Sequence, residues 1–231
     1  MTSALFVVSE EGYWGEECVE PLTTLSDADV EITVATPSGS PPVIDERSID
    51  PEMVGEETAE RVEEVHENDE RLNDPVPVAS VDAEEYDALV LPGGHGTVWD
   101  VNQDQHVRDL LRDTVENGDK ALVVCHAVGV LAFTWMSDGS RIAEGREVTG
   151  FPNEQEAEIV DEYGRMGDGR KLPYLVEDEV VAAGGDWDAE LDQETSVKVA
   201  GDLITGRGPE SSADAARTLL EELGIEHEQA A

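Results

Sequence analysis

Cys125 follows the apolar run Ala121-Leu122-Val123-Val124 and precedes His126, Ala127, Val128, Gly129 and Val130. A buried run that stops abruptly before small and apolar residues predicts a strand, a sharp turn carrying a nucleophile, and the start of a helix. A thiol so placed stands at the C-terminal edge of a sheet, with the backbone N–H groups of the next turn pointing toward it. Such donors stabilise a thiolate and hold a developing oxyanion. Cys125 is therefore expected to be a partly exposed thiol of lowered pKa. A small cysteine that merely ends a core strand is the competing reading, and the elements around it decide between the two.

Those elements alternate. Leu5-Phe6-Val7-Val8 predicts a first strand, Glu17–Leu25 a helix and Val30–Ala35 a second strand closed by Pro37 and Gly39. Residues 41–80 are acidic and punctuated by proline, which predicts an excursion from the sheet, a small cap with a helix near Glu57–Glu70. Ala88-Leu89-Val90-Leu91 returns to the sheet and ends in Pro92-Gly93-Gly94-His95-Gly96. Val107, Leu110, Leu111 and Val115 have helical spacing over His106–Asn117, and Gly118 stops that helix. Ala121–Val124 and Glu147–Thr149 predict strands, and Tyr174–Ala183 a helix. A hairpin turning at Ala200-Gly201-Asp202 and a final helix over Ser211–Leu223, capped by Ser211, complete the chain. The pattern predicts an α/β fold, a mostly parallel sheet sandwiched by helices, in one domain spanning 1–231. Ligands of such sheets bind beyond the carboxyl ends of the strands, where the Gly93-Gly94 turn and Cys125 both fall.

Composition narrows the function classes. The 231 residues carry 14 Lys and Arg against 55 Asp and Glu, a net charge of −41. Such a surface repels phosphate backbones and anionic lipid heads, which argues against nucleic-acid or membrane partners. At roughly 1 M salt the Debye length falls to about 3 Å and screens most of the self-repulsion. The scarcity of lysine (Lys120, Lys171 and Lys198) and the even spread of acids resemble cytoplasmic proteins of salt-accumulating organisms. The first residues lack the basic region of a signal peptide, and two cysteines, Cys18 and Cys125, make no disulfide framework, so a reducing, cytoplasmic setting is expected.

Five ordered segments carry a family resemblance: Glu11–Pro21, Leu91–Asp100, Val123–Ala127, Val148–Phe151 and Leu203–Gly206. Together they resemble the ThiJ/PfpI superfamily, and within it the branch of heat-shock chaperones with glyoxalase III activity. The resemblance implies a flavodoxin-like sheet related to class I glutamine amidotransferases, a nucleophile elbow and a homodimer. It places the nucleophile on Cys125, with His126 beside it in a Cys-His-acid arrangement. The acid falls on Glu156, with Glu154 as near competitor. Glu17, four residues before Pro21, matches the glutamate that approaches the thiol, and the N–H groups of Gly94 and His126 match the oxyanion hole. Two residues depart from the family pattern: Val128 stands where many relatives carry proline, and Pro152 where threonine is frequent. Asp161–Arg170 reads as a local insertion at the pocket rim.

Physical chemistry adds conditions to these roles. A carboxyl facing a thiolate must itself be protonated, so Glu17 is expected to be neutral with a raised pKa. His126 needs an acceptor on its other nitrogen, which Glu156 can supply. His95, Trp14 and Trp99 are expected to line the pocket, although buried aromatics need no functional reason. His66, His106 and His227 sit in acidic or helical contexts and are expected to be solvated, and Cys18 to be packed. No His/Cys/Asp group has metal-ligand spacing, so neither metal nor other cofactor is expected. The activity implied is conversion of methylglyoxal, or a similar small carbonyl substrate, to a 2-hydroxy acid without glutathione. A cysteine amidase or peptidase using the same thiol is the alternative, and a holdase chaperone independent of Cys125 is a third reading.

Overall fold

A computed structural model describes residues 1–188 and 195–226. The strands are β1 (Ser3–Val7), β2 (Glu31–Thr36), β3 (Val76–Pro77), β4 (Ala88–Leu91), β5 (Lys120–Val124), β6 (Glu147–Val148), β7 (Asp186–Trp187), β8 (Val197–Ala200) and β9 (Leu203–Gly206). The helices are α1 (Gly15–Asp27), α2 (Pro51–Val54), α3 (Glu56–Asn68), α4 (Glu70–Asn73), α5 (Gln105–Asn117), α6 (Val130–Phe133), α7 (Asn153–Ile159), α8 (Val176–Ala182) and α9 (Ser212–Glu222). Seven strands form one sheet in the order β3-β2-β1-β4-β5-β9-β8. All neighbours in it run parallel except β8, which pairs antiparallel with β9 through the expected hairpin.

The central strands are apolar on both faces, as a parallel sheet covered on both sides requires. Leu5, Val7, Leu89, Leu91, Ala121 and Val123 face one core, which the buried stripe of α5 closes with Val107, Leu110, Leu111 and Val115. Phe6, Val90, Leu122, Val124 and Ile204 face the other, closed by Leu22 and Leu25 of α1 and Leu219 and Leu220 of α9. Asp104 caps α5 by accepting from the N–H groups of His106 and Val107, and Gly118 ends it in the left-handed conformation.

Three expectations are corrected. The excursion over 41–80 does not stay off the sheet: its last part, β3, pairs with β2 as the edge strand. The strand near Glu147 does not join the main sheet but pairs with β7 in a separate two-stranded sheet. Ser211 precedes α9 without capping it. Its hydroxyl oxygen instead accepts from the Ser196 N–H at 3.0 Å, tying the helix start to the approach of β8. Among the described residues no helix is long and apolar enough to cross a membrane.

Candidate active site

Strand β5 ends at Val124, and the next residue breaks the backbone trend: Cys125 has φ +56°. Left-handed geometry at a residue with a Cβ costs on the order of 1–3 kcal/mol and persists only where its surroundings enforce it. A 3-10 turn over Cys125–Gly129 follows, then α6. Asn102 holds this turn by donating to the His126 carbonyl at 2.8 Å and to the Tyr174 hydroxyl at 2.8 Å. The backbone N–H groups of His126 and Gly94 lie near enough to the Cys125 sulfur to favour its thiolate, and paired donors of that kind can also hold an oxyanion.

Glu17 reaches the sulfur from α1. Pro21, four residues on, has no N–H to offer the Glu17 carbonyl, so α1 continues but lacks one backbone hydrogen bond at the turn that presents the acid. The carboxyl is fully buried and faces the Cys125 sulfur and the Gly93 N–H, though neither contact has hydrogen-bond geometry. Burial is the chief cause that raises its pKa to about 8, so Glu17 is neutral, as expected from the sequence.

The thiol differs from expectation. Cys125 is 3 % exposed, and burial, with the charge that Glu17 would carry when ionised, pushes its pKa up. The two backbone N–H groups oppose the shift without reversing it. Cys125 rests as a thiol, with a basic nitrogen beside it: His126 Nδ1 lies 3.2 Å from Sγ. Burial lowers the pKa of His126 to about 4, so the ring is neutral at rest.

On its far side His126 Nε2 lies 2.7 Å from Glu156 Oε2. Glu156 sits in the first turn of α7, which Pro152 starts by accepting the Glu156 N–H at 3.0 Å. Glu154, on the same turn, is exposed. Burial would raise the pKa of Glu156, but hydrogen bonds from His126 and His95 outweigh it and hold the carboxylate at about 2. His95 is thus more than a pocket lining, since its Nε2 lies 2.9 Å from Glu156 Oε1. Phe151 stacks on His126 at 4.5 Å between ring centres, and His95 tilts against the same imidazole at 3.9 Å.

A pocket of about 270 Å³ opens above the sulfur, walled by Trp14, Phe151, Ile159 and Pro209, with Gln155, Glu158 and Glu210 around it. Trp99 is not in this wall, contrary to expectation. It follows His95 by four residues through a 3-10 turn of three residues per turn, which points it about 120° away. There it packs on the core under Arg170, whose guanidinium lies 4.1 Å from the ring centre. The stretch Asp161–Arg170 therefore lies against Trp99 and contributes no lining residue to this pocket. His66 is only partly solvated: it is half-buried, its Nδ1 lies 2.8 Å from the buried Tyr13 hydroxyl, and burial lowers its pKa. His106 is exposed, Cys18 is packed, and His227 lies outside the described residues.

Sequence reasoning missed Arg47, in the 3-10 turn Glu46–Ile49, whose Nη2 lies 3.0 Å from His95 Nδ1. The scarcity of cations in the acidic 41–80 stretch was the signal available. It also missed that folding gathers His95, His126 and Glu156 so that one ligand atom of each lies within 4.8 Å of the others, a set that could hold a metal ion. In the observed geometry those atoms are engaged with one another instead.

The turn that presents Gly94 tolerates no side chain at its first residue. A Cβ on Gly93 would lie 2.5 Å from Glu17 Oε2, 2.6 Å from the Val124 carbonyl and 2.7 Å from Cys125 Cβ. Gly93→Ala is expected to lower the unfolding free energy by at least about 2 kcal/mol, as read by denaturant titration in high salt. A variant within about 0.5 kcal/mol of wild type would contradict this packing.

The sequence model of the DJ-1/PfpI family matches residues 2–222. The chain belongs to the DJ-1/PfpI family. Among curated members, a glutamine amidotransferase-like class 1 domain-containing protein 1 of Bos taurus is 28 % identical over 200 residues, covering 85 % of this chain and 82 % of that protein. A probable glutathione-independent glyoxalase of Schizosaccharomyces pombe is 28 % identical over 146 residues, covering 61 % of this chain and 54 % of its own length. A protein/nucleic acid deglycase HchA of Staphylococcus aureus is 26 % identical over 199 residues, 83 % of this chain and 61 % of that protein. The chain thus spans little more than half the length of these last two relatives. Among solved structures, glyoxalase III from Candida albicans superposes with a TM-score of 0.80 at 18 % identity, over 96 % of this chain and 97 % of that one, and shares the fold. The flavodoxin-like, class I glutamine amidotransferase-like architecture is common to this chain and its structural neighbours in the DJ-1/PfpI family.

Proposed function

We propose that this DJ-1/PfpI protein converts methylglyoxal, or a similar small 2-oxoaldehyde, to the 2-hydroxy acid without glutathione. The observation that carries this reading is the fully buried, neutral Glu17 carboxyl against the Cys125 sulfur, at the floor of a pocket of about 270 Å³ that admits a small carbonyl compound. The names of the glyoxalase and deglycase relatives support it. A hydrolase needs a nucleophile, a base and an oxyanion hole, but it has no use for a second proton carrier at the sulfur.

The chemistry balances with the groups present. Cys125 passes its proton to His126 and its sulfur bonds to the aldehyde carbon C1, while Glu17 protonates O1 beside the Gly94 and His126 N–H groups. Glu17, now a carboxylate, removes the C1 proton, and His126 protonates O2, giving an enediol. Glu17 delivers its proton to C2 and regains one from O1, so C1 becomes a thioester carbonyl and C2 an alcohol carbon. Water, deprotonated by His126, cleaves the thioester; lactate leaves and the proton returns to sulfur. The net change is addition of one water, with C1 oxidised and C2 reduced.

The test is incubation in molar salt with methylglyoxal and no glutathione, following aldehyde loss and lactate formation. Lactate is expected in equal amount to the aldehyde lost, and in deuterium oxide it should carry only partial deuterium at C2, because Glu17 returns the substrate's own proton. No lactate, with cleavage of small amides by the same protein, would replace this reading by the hydrolase.

A further inference from the structure

Beyond the Cys-His-acid arrangement, the hydrogen bonds continue outward through His95 to Arg47, and we propose that Arg47 is a positioning residue that, together with the Glu156 carboxylate, fixes the tautomers of the active-site histidines. The proposal rests on the thiol chemistry above but not on methylglyoxal as substrate.

A guanidinium has only donors and does not lose its proton in proteins. Arg47 Nη2, 3.0 Å from His95 Nδ1, therefore donates, and Nδ1 must hold a lone pair. The ring proton of His95 is then on Nε2, which donates to Glu156 Oε1 at 2.9 Å. As a carboxylate Glu156 accepts on its other oxygen too, so His126 Nε2, at 2.7 Å, is a donor as well. That leaves His126 Nδ1 as a bare lone pair 3.2 Å from the thiol. The polarity of the whole chain, from guanidinium to sulfur, follows from its two one-way groups, a guanidinium that cannot accept and a carboxylate that cannot donate.

Arg47 is itself held. Its Nε donates to Asp45 Oδ1 at 3.0 Å and its Nη2 to Oδ2 at 2.5 Å. The Asp45 N–H donates to the Tyr13 carbonyl at 2.8 Å, and the Tyr13 N–H to the Val43 carbonyl at 2.9 Å. The start of the 41–80 excursion is thus joined to the segment that leads into α1. On a chain with 55 acidic residues, this arginine turns one edge inward to an imidazole nitrogen.

The same constraint bears on the metal-competent set of His95, His126 and Glu156. A cation bound at Nε2 needs a lone pair there, and on His95 Arg47 requires a proton at that atom. Arg47 thereby keeps the three residues as proton-transfer apparatus and disfavours capture of a divalent ion.

The deciding measurement is histidine ring ¹⁵N NMR on the full-length wild-type protein. His95 is expected to show a pyridine-type Nδ1 and a pyrrole-type Nε2, and a protonated Nδ1 would overturn the proposal without any variant. Arg47→Met, which keeps bulk and loses the donor, is expected to mix the His95 tautomers and to slow iodoacetamide alkylation of Cys125 at neutral pH by about tenfold or more, whereas Arg47→Lys retains most of the rate. Zinc titration of Arg47→Met should show binding at least about tenfold tighter than wild type. Unchanged His95 ring shifts in Arg47→Met, or alkylation within about twofold of wild type, would also overturn it. Alkylation and ring shifts are read without turnover, so absence of lactate formation would count against the glyoxalase reading alone.

Discussion

Cys125→Ala is expected to lower kcat/KM for methylglyoxal by about 10⁴-fold or more, because in the proposed reaction the first bond to the substrate carbon is made by this sulfur. The backbone N–H groups of Gly94 and His126 survive the change and can still polarise a bound aldehyde, but polarisation without a covalent partner leaves no route to the enediol. Cys125→Ser should be nearly as inactive, since a buried hydroxyl is far harder to deprotonate than a thiol. Fold stability should change little: alanine inherits the φ of +56° and its strain, and only the packing of one sulfur is lost. Steady-state lactate formation beside denaturant titration checks both halves. Turnover by Cys125→Ala equal to wild type would remove the thiol mechanism.

Glu17→Gln has two expected effects of opposite sign. Turnover should fall by about 10²- to 10⁴-fold, because an amide neither takes nor gives the proton that moves between the two carbons. Stability near neutral pH should rise. The pKa of Glu17 is about 8 in the fold, against 4.5 for an ordinary glutamate. Between those values the folded chain holds a proton that the unfolded chain has shed. Stability is then lost as pH rises through the window, by about 3 kcal/mol on reaching pH 7. Glutamine has no such proton, so the difference in unfolding free energy, variant minus wild type, should grow with pH from about 4.5 and level off above about 8. The many surface acids titrate in both proteins and cancel in the difference. Parallel stability curves would mean that Glu17 is not the buried, neutral group described.

Much of this was legible in the sequence, for reasons that differ from residue to residue. The end of β5 could be read because a buried strand is apolar on both faces and stops where the chain turns. The acid could not be assigned between Glu154 and Glu156, because the choice depends on where α7 begins. Two residues apart on a helix lie about 200° apart, so only one can face inward, and the start at Asn153 selects Glu156. Trp99 went wrong for a similar reason, a 3-10 turn whose period no apolar pattern announces. The thiol went wrong in electrostatics: N–H groups near Cys125 argue for a lowered pKa, but burial, which dominates, depends on tertiary packing that no local run of residues reveals. Arg47 lies 78 residues before Cys125 in a segment whose composition suggests only solvent, and long-range pairings of that kind follow from topology.

The segment leading into α1, which carries Glu17, and the turn that carries Gly94 meet backbone to backbone. The Gly96 N–H donates to the Gly12 carbonyl at 2.9 Å and the Trp14 N–H to the Gly93 carbonyl at 3.1 Å. A Cβ on Gly94 would lie 2.4 Å from the Trp14 nitrogen. With no side chains between them these segments have nothing to slide on, and their backbone hydrogen bonds couple the positions of Glu17 and Gly94. The pocket is more open on its opposite side, where Gln155, Glu158 and Ile159 of the short α7 and Glu210 are exposed. A substrate arriving through that side meets carboxylates first, so the approach itself discriminates against anionic carbonyls before any chemistry begins.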